Sequence, residues 1–446
     1  AMALHGRQAL EYLPEQELIW RSNAAIALGD SHGFRGDVDA AYQSRLQAAE
    51  EAAQAGETLF STIAYMKATV ALREQGRLRE TIAICRREIQ RTDSSGLPRG
   101  SVVGALLAIW AETLAELGNL EEAIDLANQG VALTERGIDL AMRGWSYLCI
   151  SRILFSAGDM AGAERIFQRV DATARDHNLP AWITTQVAAW QTRVWLAQGR
   201  LEAASDWAVQ RGLDTGGESK PLHELDFTSL LDYVVLVRIL IAQSRLDEAN
   251  RLLPRLLKAA EAGGRTSKSI EILMLQALAS QAEGKTTQAM EALERALSLA
   301  KPLGFVGVFV DEGPPMERLV RAAAARGMMP HYTARLLAAF EGETKDQGHA
   351  PTPPKGPVTK EEEKRSVVRP SSPALRRAEE LIEPLSDREL EVLHLIAGGF
   401  TNREIASRLF VSLNTVKAHN RNIYGKLGVH SRTQAVARAR ALGILP

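Results

Sequence analysis

The stretch TNREIASRLFVSLNTVKAHN, Thr401 to Asn420, reads as two short helices joined by a tight turn. Thr401 followed three residues later by Glu404 is a capping box, in which each side chain satisfies a backbone N–H left orphaned at a helix start. Ile405, Ala406 and Leu409 give that helix a buried face. Ser412 is placed to N-cap the second helix, which the pattern carries to about Leu427, just before Gly428. At 100° per residue, Val416, Ile423 and Leu427 fall together as a core face. Asn414, Lys417, Ala418, Arg421 and Gly425 fall on the other side: two cations, one amide and two residues with almost no side chain. Small residues let a helix backbone approach a surface closely, and the cations suit phosphate or guanine. A helix-turn-helix lays its second helix in the DNA major groove with this arrangement.

The flanks agree. Ser386-Asp387-Arg388-Glu389 is a second capping box, opening a helix that ends at Gly398-Gly399, and Ser431-Arg432-Thr433-Gln434 is a third, opening the last helix. From Pro384 to the end there are nine Lys/Arg against four Asp/Glu, a net of +5, so the preceding 383 residues carry −6 of the chain's −1. A basic tail on an acidic body points to nucleic acid.

The run PLSDRELEVLHLIAGGFTNREIASRLFVSLNTVKAHNRNIYGKLGVHSRTQAV resembles the LuxR-type DNA-binding domain. The likeness is carried by the L-S-x-R-E-x-E-V-L opening, N-x-E-I-A, T-V-K-x-H-x-x-x-I-x-x-K-L and R-T-Q-A-V. It implies a four-helix domain that binds DNA as a homodimer through its last helix, where Ala435, Val436, Ala439 and Leu442 make an apolar stripe. Lys417, Ala418 and Arg421 stand where the family contacts the groove. The wider candidate DNA-binding set adds Thr401, Asn402, Ser412, Asn414, Thr415, His419, Asn422, Lys426 and Arg432. His419 also borders the core face, where packing or a backbone bond competes with base reading. Arg438 and Arg440 suit phosphate or simple solvation, and Asn420 departs from the apolar residue expected at its place.

Upstream, seven segments share a small or polar opener, a short polar run and an Ala-rich helix. They open at Gly36, Gly76, Gly118, Gly158, Gly199, Ser244 and Gly284, spaced 40, 42, 40, 41, 45 and 40 residues apart. Each follows an amphipathic stretch of about four turns, such as Leu59 to Leu72 or Trp182 to Leu196. The unit is helix, turn, helix. Such pairs bury their apolar faces only by stacking, which generates a superhelix with a concave surface. The body looks like the tetratricopeptide class with a longer unit and without its full signature. The predicted fold is therefore all-α: a tetratricopeptide-like superhelix over 1–340, a proline-rich linker over 341–375 and a LuxR-type domain over 376–446. Phe305 to Val310 is the one tempting strand. The linker's low apolar content denies it a core, and its reach is roughly 30 Å. Lys301 to Phe340 and the tail YGKLGVHSRTQAVARARALGIL resemble MalT-like regulators, the large ATP-dependent LuxR subgroup.

That resemblance implies an N-terminal ATPase module, so a phosphate loop must be sought. Gly284-Lys285-Thr286 has Ala279 where a Walker A loop needs glycine, and it falls on a repeat turn. No cofactor is expected in this chain. No metal spacing emerges either: His223-Glu224 is followed by Phe227 where a zinc helix needs its second His. Cys85 and Cys149 sit in apolar patterns, as reduced core thiols do. No constellation of nucleophile, base and orienter suggests an enzyme. No secretory signal opens the chain and no window is long and apolar enough to cross a membrane, so a cytoplasmic place is expected. Trp145, Trp182, Trp190, Trp195 and Trp207 lie in adjacent repeats, either as core or as an aromatic groove for a small inducer, with Trp145, Trp182 and Trp190 the ligand-binding candidates. Two functions fit. One is a transcription regulator whose solenoid senses a ligand or protein partner, whose tail binds promoter DNA and which works with RNA polymerase. The other is an interaction scaffold tethered to DNA by its tail.

Overall fold

The structure, a computed structural model, describes residues 2–96, 99–177, 179–213, 227–346, 387–409, 413–427, 429, 431–441 and 445. The chain divides into two compact units, Ala1–Ala350 and Pro351–Pro446. Among the described residues every regular element is a helix, as the all-α reading expects, and none is long and apolar enough to cross a membrane.

The first unit opens with α1 (Met2–Tyr12) and then repeats a helical hairpin seven times. The hairpins are α2/α3 (Leu18–Arg35, Val38–Gln54), α4/α5 (Thr58–Glu74, Leu78–Ser94), α6/α7 (Ser101–Glu116, Leu120–Arg136) and α8/α9 (Leu140–Ser156, Met160–Asp176). There follow α10/α11 (Ala181–Ala197, Leu201–Gln210), α12/α13 (Phe227–Ala242, Leu246–Ala262) and α14/α15 (Thr266–Ala282, Thr286–Leu303). Their turns fall at the seven openers. The six glycines take left-handed φ values between 73° and 88°, a region open to glycine because it lacks Cβ. Ser244 does the same job at φ 59°. A left-handed L-residue costs about 1–2 kcal/mol, part of which glycine gives back as extra unfolded-chain entropy. Ser244→Gly is therefore expected to stabilise the body by about 0.5–1 kcal/mol. Thermal melting checks this, and a lowered midpoint would contradict the turn geometry.

First helices pack on first helices, α4 on α6, α6 on α8, α8 on α10 and so on, making an inner layer. The amphipathic reading of these helices needs correction. In α6 every residue from Val103 to Ile109 is buried, and in α8 every residue from Gly144 to Ser151. Outer helices cover one side of them and the interior of the superhelix covers the other. The superhelix also comes round on itself, with α12 touching α2 and α14 touching α4. Val38 N–H donates to the Gly263 carbonyl at 3.2 Å and Arg265 Nε to the Gly36 carbonyl at 3.3 Å, joining the first hairpin's turn to the link between the sixth and seventh.

A closing segment fills the interior: α16 (Gly307–Val310), α17 (Gly313–Ala325) and α18 (Pro330–Asp346). The run Phe305 to Val310, the one tempting strand, instead holds a short helix over Gly307–Val310. It has no strand beside it to pair with. Val306 N–H donates to the Glu116 carbonyl at 2.7 Å, while Phe305 and Phe309 are buried against the inner layer. The Tyr332 hydroxyl donates to the Phe305 carbonyl, and Arg335 Nη2 donates to the Leu117 carbonyl at 2.8 Å. Helix α18 runs on to Asp346, past the expected linker start at 341. Residues 347–386, which hold the rest of that linker and Ser386 of the second capping box, lie outside the described residues, as do His223 and Glu224. Cys85 and Cys149 are free and fully buried; burial pushes the Cys85 thiol up to about 12, so it packs as an inert core group.

The second unit contains α19 (Asp387–Ala397), α20 (Asn402–Leu409), α21 (Leu413–Leu427) and α22 (Arg432–Ala441). Val392, Leu393, Ile396, Ile405, Val416, Ile423, Leu427, Ala435, Ala439 and Leu445 form its core.

Candidate functional site

The two helices that opened the reading of the sequence are set by their capping. Thr401 N–H and Oγ1 both donate to Glu404 Oε2, at 2.7 and 2.8 Å, and Glu404 N–H donates to Thr401 Oγ1 at 3.4 Å. The box thus closes reciprocally and starts α20. On α21, Val416 and Ile423 are wholly buried and Leu427 nearly so, while Lys417 and Arg421 are exposed. Those cations are four residues apart on one helix, about 6 Å along its axis. Asn420 is buried and its Nδ2 donates to Asn402 Oδ1 at 3.0 Å, a polar tie between α20 and α21. That tie accounts for the amide where an apolar residue was expected.

The first unit holds a different kind of site. A cavity of about 110 Å³ in the superhelix interior is lined by charged groups from the inner helices. Glu112 takes Arg73 and Arg152 at 2.6 Å each, and Arg152 Nη2 also donates to Gln186 Oε1 at 2.8 Å. Further round, Glu312 pairs with Arg193 at 3.1 Å and Arg238 at 2.5 Å. Glu271 pairs with Arg238 at 2.9 Å and Lys268 at 2.7 Å. Arg152 and Arg193 lie over the Trp190 ring, 5.0 and 4.3 Å from its centroid. A wider cavity of about 1010 Å³ shares Ser156, Arg193 and Asp311 with the first.

Burial works against the Glu112 carboxylate, but Arg73 and Arg152 overcome it and hold its pKa down to about 2. Glu271 is likewise lowered against burial, by Lys268, Arg238 and Arg193. Glu116 and Asp311 behave oppositely. Burial, helped by the charge of Asp311, raises Glu116 to about 8. Burial raises Asp311 to about 6 although Arg193 and a hydrogen bond from Ser156 oppose it. A group raised in the folded state contributes stability that is complete below its unfolded pKa and is lost as pH rises through the folded one. A lowered group contributes above its unfolded pKa and is lost as pH falls. The body should therefore be most stable near pH 4.5 and weaken from there to about pH 8, most steeply below pH 6 where Asp311 and Glu116 both contribute. Melts across pH 5–9 check this, and Glu116→Gln should flatten most of the alkaline limb.

The profile for the MalT-like TPR region matches residues 2–326. The chain belongs to the MalT-like family. The profile for bacterial regulatory proteins of the luxR family matches residues 383–439 of this MalT-like chain. It is 26% identical over 444 residues to the HTH-type transcriptional regulator MalT of Yersinia enterocolitica (serotype O:8 / biotype 1B), an alignment covering 97% of this chain and 46% of that protein. To MalT of Yersinia pestis (strain Pestoides F) it is 27% identical over 445 residues, again covering 97% and 46%. The chain thus spans about half the length of the curated relatives it matches. In fold it is similar to a Rap protein solved with Competence and Sporulation Factor, with TM-score 0.52 and 13% identity over 68% of this chain and 79% of that one.

Within this MalT-like chain the candidate residues separate. Lys417 and Arg421 stay on the exposed face, with His419 half-buried beside them. Thr401 is engaged in its capping box and Asn402 with Asn420. Lys426 Nζ sits 2.9 Å from Oε2 of Glu389, a buried carboxylate on α19. Arg432 is also engaged within the domain. Its Nη2 donates to the carbonyls of Ile396 at 2.9 Å and Phe400 at 2.6 Å, satisfying the end of α19. Of the apolar stripe, Ala435 and Ala439 are fully buried in their own domain's core and Val436 packs against it. Leu442 and Ser412 lie outside the described residues, as do the side chains of Asn414, Thr415, Ala418 and Asn422. Of the tryptophans, Trp145 and Trp190 line the interior cavity. Trp182 instead packs on Trp145, with ring centroids 5.5 Å apart, and Trp207 is buried core.

The reading of the sequence missed the interior charges, though a signal existed. Glu112, Arg152, Arg193 and Arg238 each stand six residues before a repeat opener, in four successive repeats. A charge recurring at one register of an apolar inner helix has to find partners across the bore.

Proposed function

We propose that the chain is a DNA-binding transcription regulator in which α21 reads the major groove and the solenoid interior senses a small ligand. The observation that carries the DNA half is the exposed pair Lys417 and Arg421, set opposite a fully buried face on a domain with net charge +5 from Pro384 onward. The luxR-family match over 383–439 and relatives named as HTH-type transcriptional regulators support it. Arginine's planar fork pairs with both acceptors of one guanine, while lysine serves base or phosphate as a point charge. The interior cavity, with charged groups on several walls, supports the sensing half. Its target is promoter DNA in the cytoplasm, with RNA polymerase as the partner that the output requires. The test is selection of a duplex from a random pool, followed by titration of the full chain against it and a scrambled copy at several salt concentrations. Specific binding should exceed scrambled by about 10³ or more, both weakening as salt rises. Equal affinity for the two duplexes would overturn the reading.

A further inference from the structure

At 100° per residue Asn420 falls with Val416, Ile423 and Leu427, on the face that α21 turns to the domain core. Apolar contact is non-directional and tolerates a small roll of one helix on another. A hydrogen bond does not, because its strength depends on distance and alignment together. Polar links of this kind hold α21 from two sides. Asn420 Nδ2 donates to Asn402 Oδ1 on α20 at 3.0 Å, and Lys426 Nζ lies 2.9 Å from Glu389 Oε2 on α19. Asn420 and Lys426 stand six residues apart, about 120° round the helix axis, so together they fix its roll.

A second observation shows that the amide is not there for stability. Asn420 is only 7% exposed, and its Oδ1 has no hydrogen-bond partner among the described residues. A buried carbonyl oxygen left unpaired destabilises a fold, and leucine, with the same branched outline, would fill the site without that cost. On the same helix, Lys417 and Arg421 are exposed. A roll of about 20° carries a side-chain tip at the helix surface about 2 Å, enough to break a bidentate hydrogen bond to guanine. Phosphate contacts position the protein but carry no sequence information, so they do not demand that precision.

We propose that Asn420 is a positioning residue for DNA reading: through Asn402 it sets the roll at which α21 presents Lys417 and Arg421, and so determines sequence selectivity rather than affinity for DNA in general. The proposal rests on α21 as the reader. Any other roll separates the two amides and leaves that of Asn420 buried without its partner. The domain thus gives up some stability for a single geometry, as a buried polar contact does when it fixes the register of packed helices.

The test titrates the full chain and three variants, Asn420→Leu, Asn402→Ala and the two combined, against the selected and scrambled duplexes at several salt concentrations, and follows the melting of the C-terminal transition. Asn420→Leu should lower affinity for the selected duplex about tenfold or more and leave the scrambled duplex within about twofold. Its salt slope should match the parent's, and it should melt no lower. Asn402→Ala should lose selectivity to a similar degree, and the combined variant no more than either alone, since all three break one bond. The proposal is overturned if Asn420→Leu discriminates the two duplexes as the parent does, or if it melts lower and weakens both alike. It is also overturned if Asn402→Ala keeps the parent's selectivity, or if the two single effects multiply in the combined variant. A parent that does not discriminate the duplexes would sink α21 as the reader and the positioning role with it. A parent that discriminates, beside an Asn420→Leu that does so equally well, would sink the positioning role alone.

Discussion

Arg238→Ala is expected to cost the helical body about 3–5 kcal/mol, because it strips one partner from a buried ionic network and leaves the other charges in place. Arg238 is 8% exposed and bridges Glu312 at 2.5 Å to Glu271 at 2.9 Å. Glu312 belongs to the closing segment and Glu271 to α14, so the guanidinium joins the plug to the inner wall. After its removal Arg193 still holds Glu312 and Lys268 still holds Glu271, but the plug and α14 lose their shared cation. Glu312→Gln, which keeps the shape and a hydrogen-bonding oxygen, should cost less. Thermal or denaturant unfolding of the full chain reads this out. A body as stable as the parent after Arg238→Ala would mean that the network does not hold the closing segment.

Ile423→Asp is expected to unfold the small domain outright. Ile423 is wholly buried in the core between α19, α20 and α22. Deleting such a side chain costs about 2–5 kcal/mol in lost packing, and a carboxylate put there without a partner adds several more. A domain of this size has a net stability of only about 3–5 kcal/mol to lose. DNA binding should vanish for every sequence alike while the melting of the helical body stays where it was. Circular dichroism of the isolated C-terminal transition, together with duplex titration, checks both parts. A folded domain that still discriminates sequences would contradict the assignment of Ile423 to the core face.

Much of this architecture is legible in the residues because its signals are local. A residue able to enter the left-handed region at each opener marks the seven turns, and Ser244 keeps its place in the series despite its side chain. The capping box at Thr401 and the wheel of α21 depend on contacts within one or two turns, and both are as the sequence implies. What periodicity does not convey is which of two neighbours a face meets. Ala435 and Ala439 form an apolar stripe whether it faces a twin or its own core, and the core takes them. Lys426 and Arg432 are cations in or next to the helix proposed to read DNA, yet each has an acceptor on or just beyond α19, more than thirty residues away in the chain. The closure of the superhelix is likewise a long-range fact. Arg265 meets Gly36 across 229 residues, and nothing near either one announces the other. Phe305 to Val310 has the β-branched and aromatic composition of a strand, but with no edge to pair on, its backbone coils into a turn of helix.

The account stands or falls on α21 as the DNA reader, and titration of Lys417→Ala and Arg421→Ala against the selected and scrambled duplexes tests that most directly. Arg421→Ala should cost about 1–3 kcal/mol on the selected duplex and relax discrimination at one base pair. Lys417→Ala should weaken binding as well, and if its contact is to phosphate it should lower the salt slope by about one unit. Both residues are exposed, so the domain should remain folded and its melting unchanged. If both variants bind the selected duplex as tightly and as selectively as the parent while the domain stays folded, α21 is not the reader.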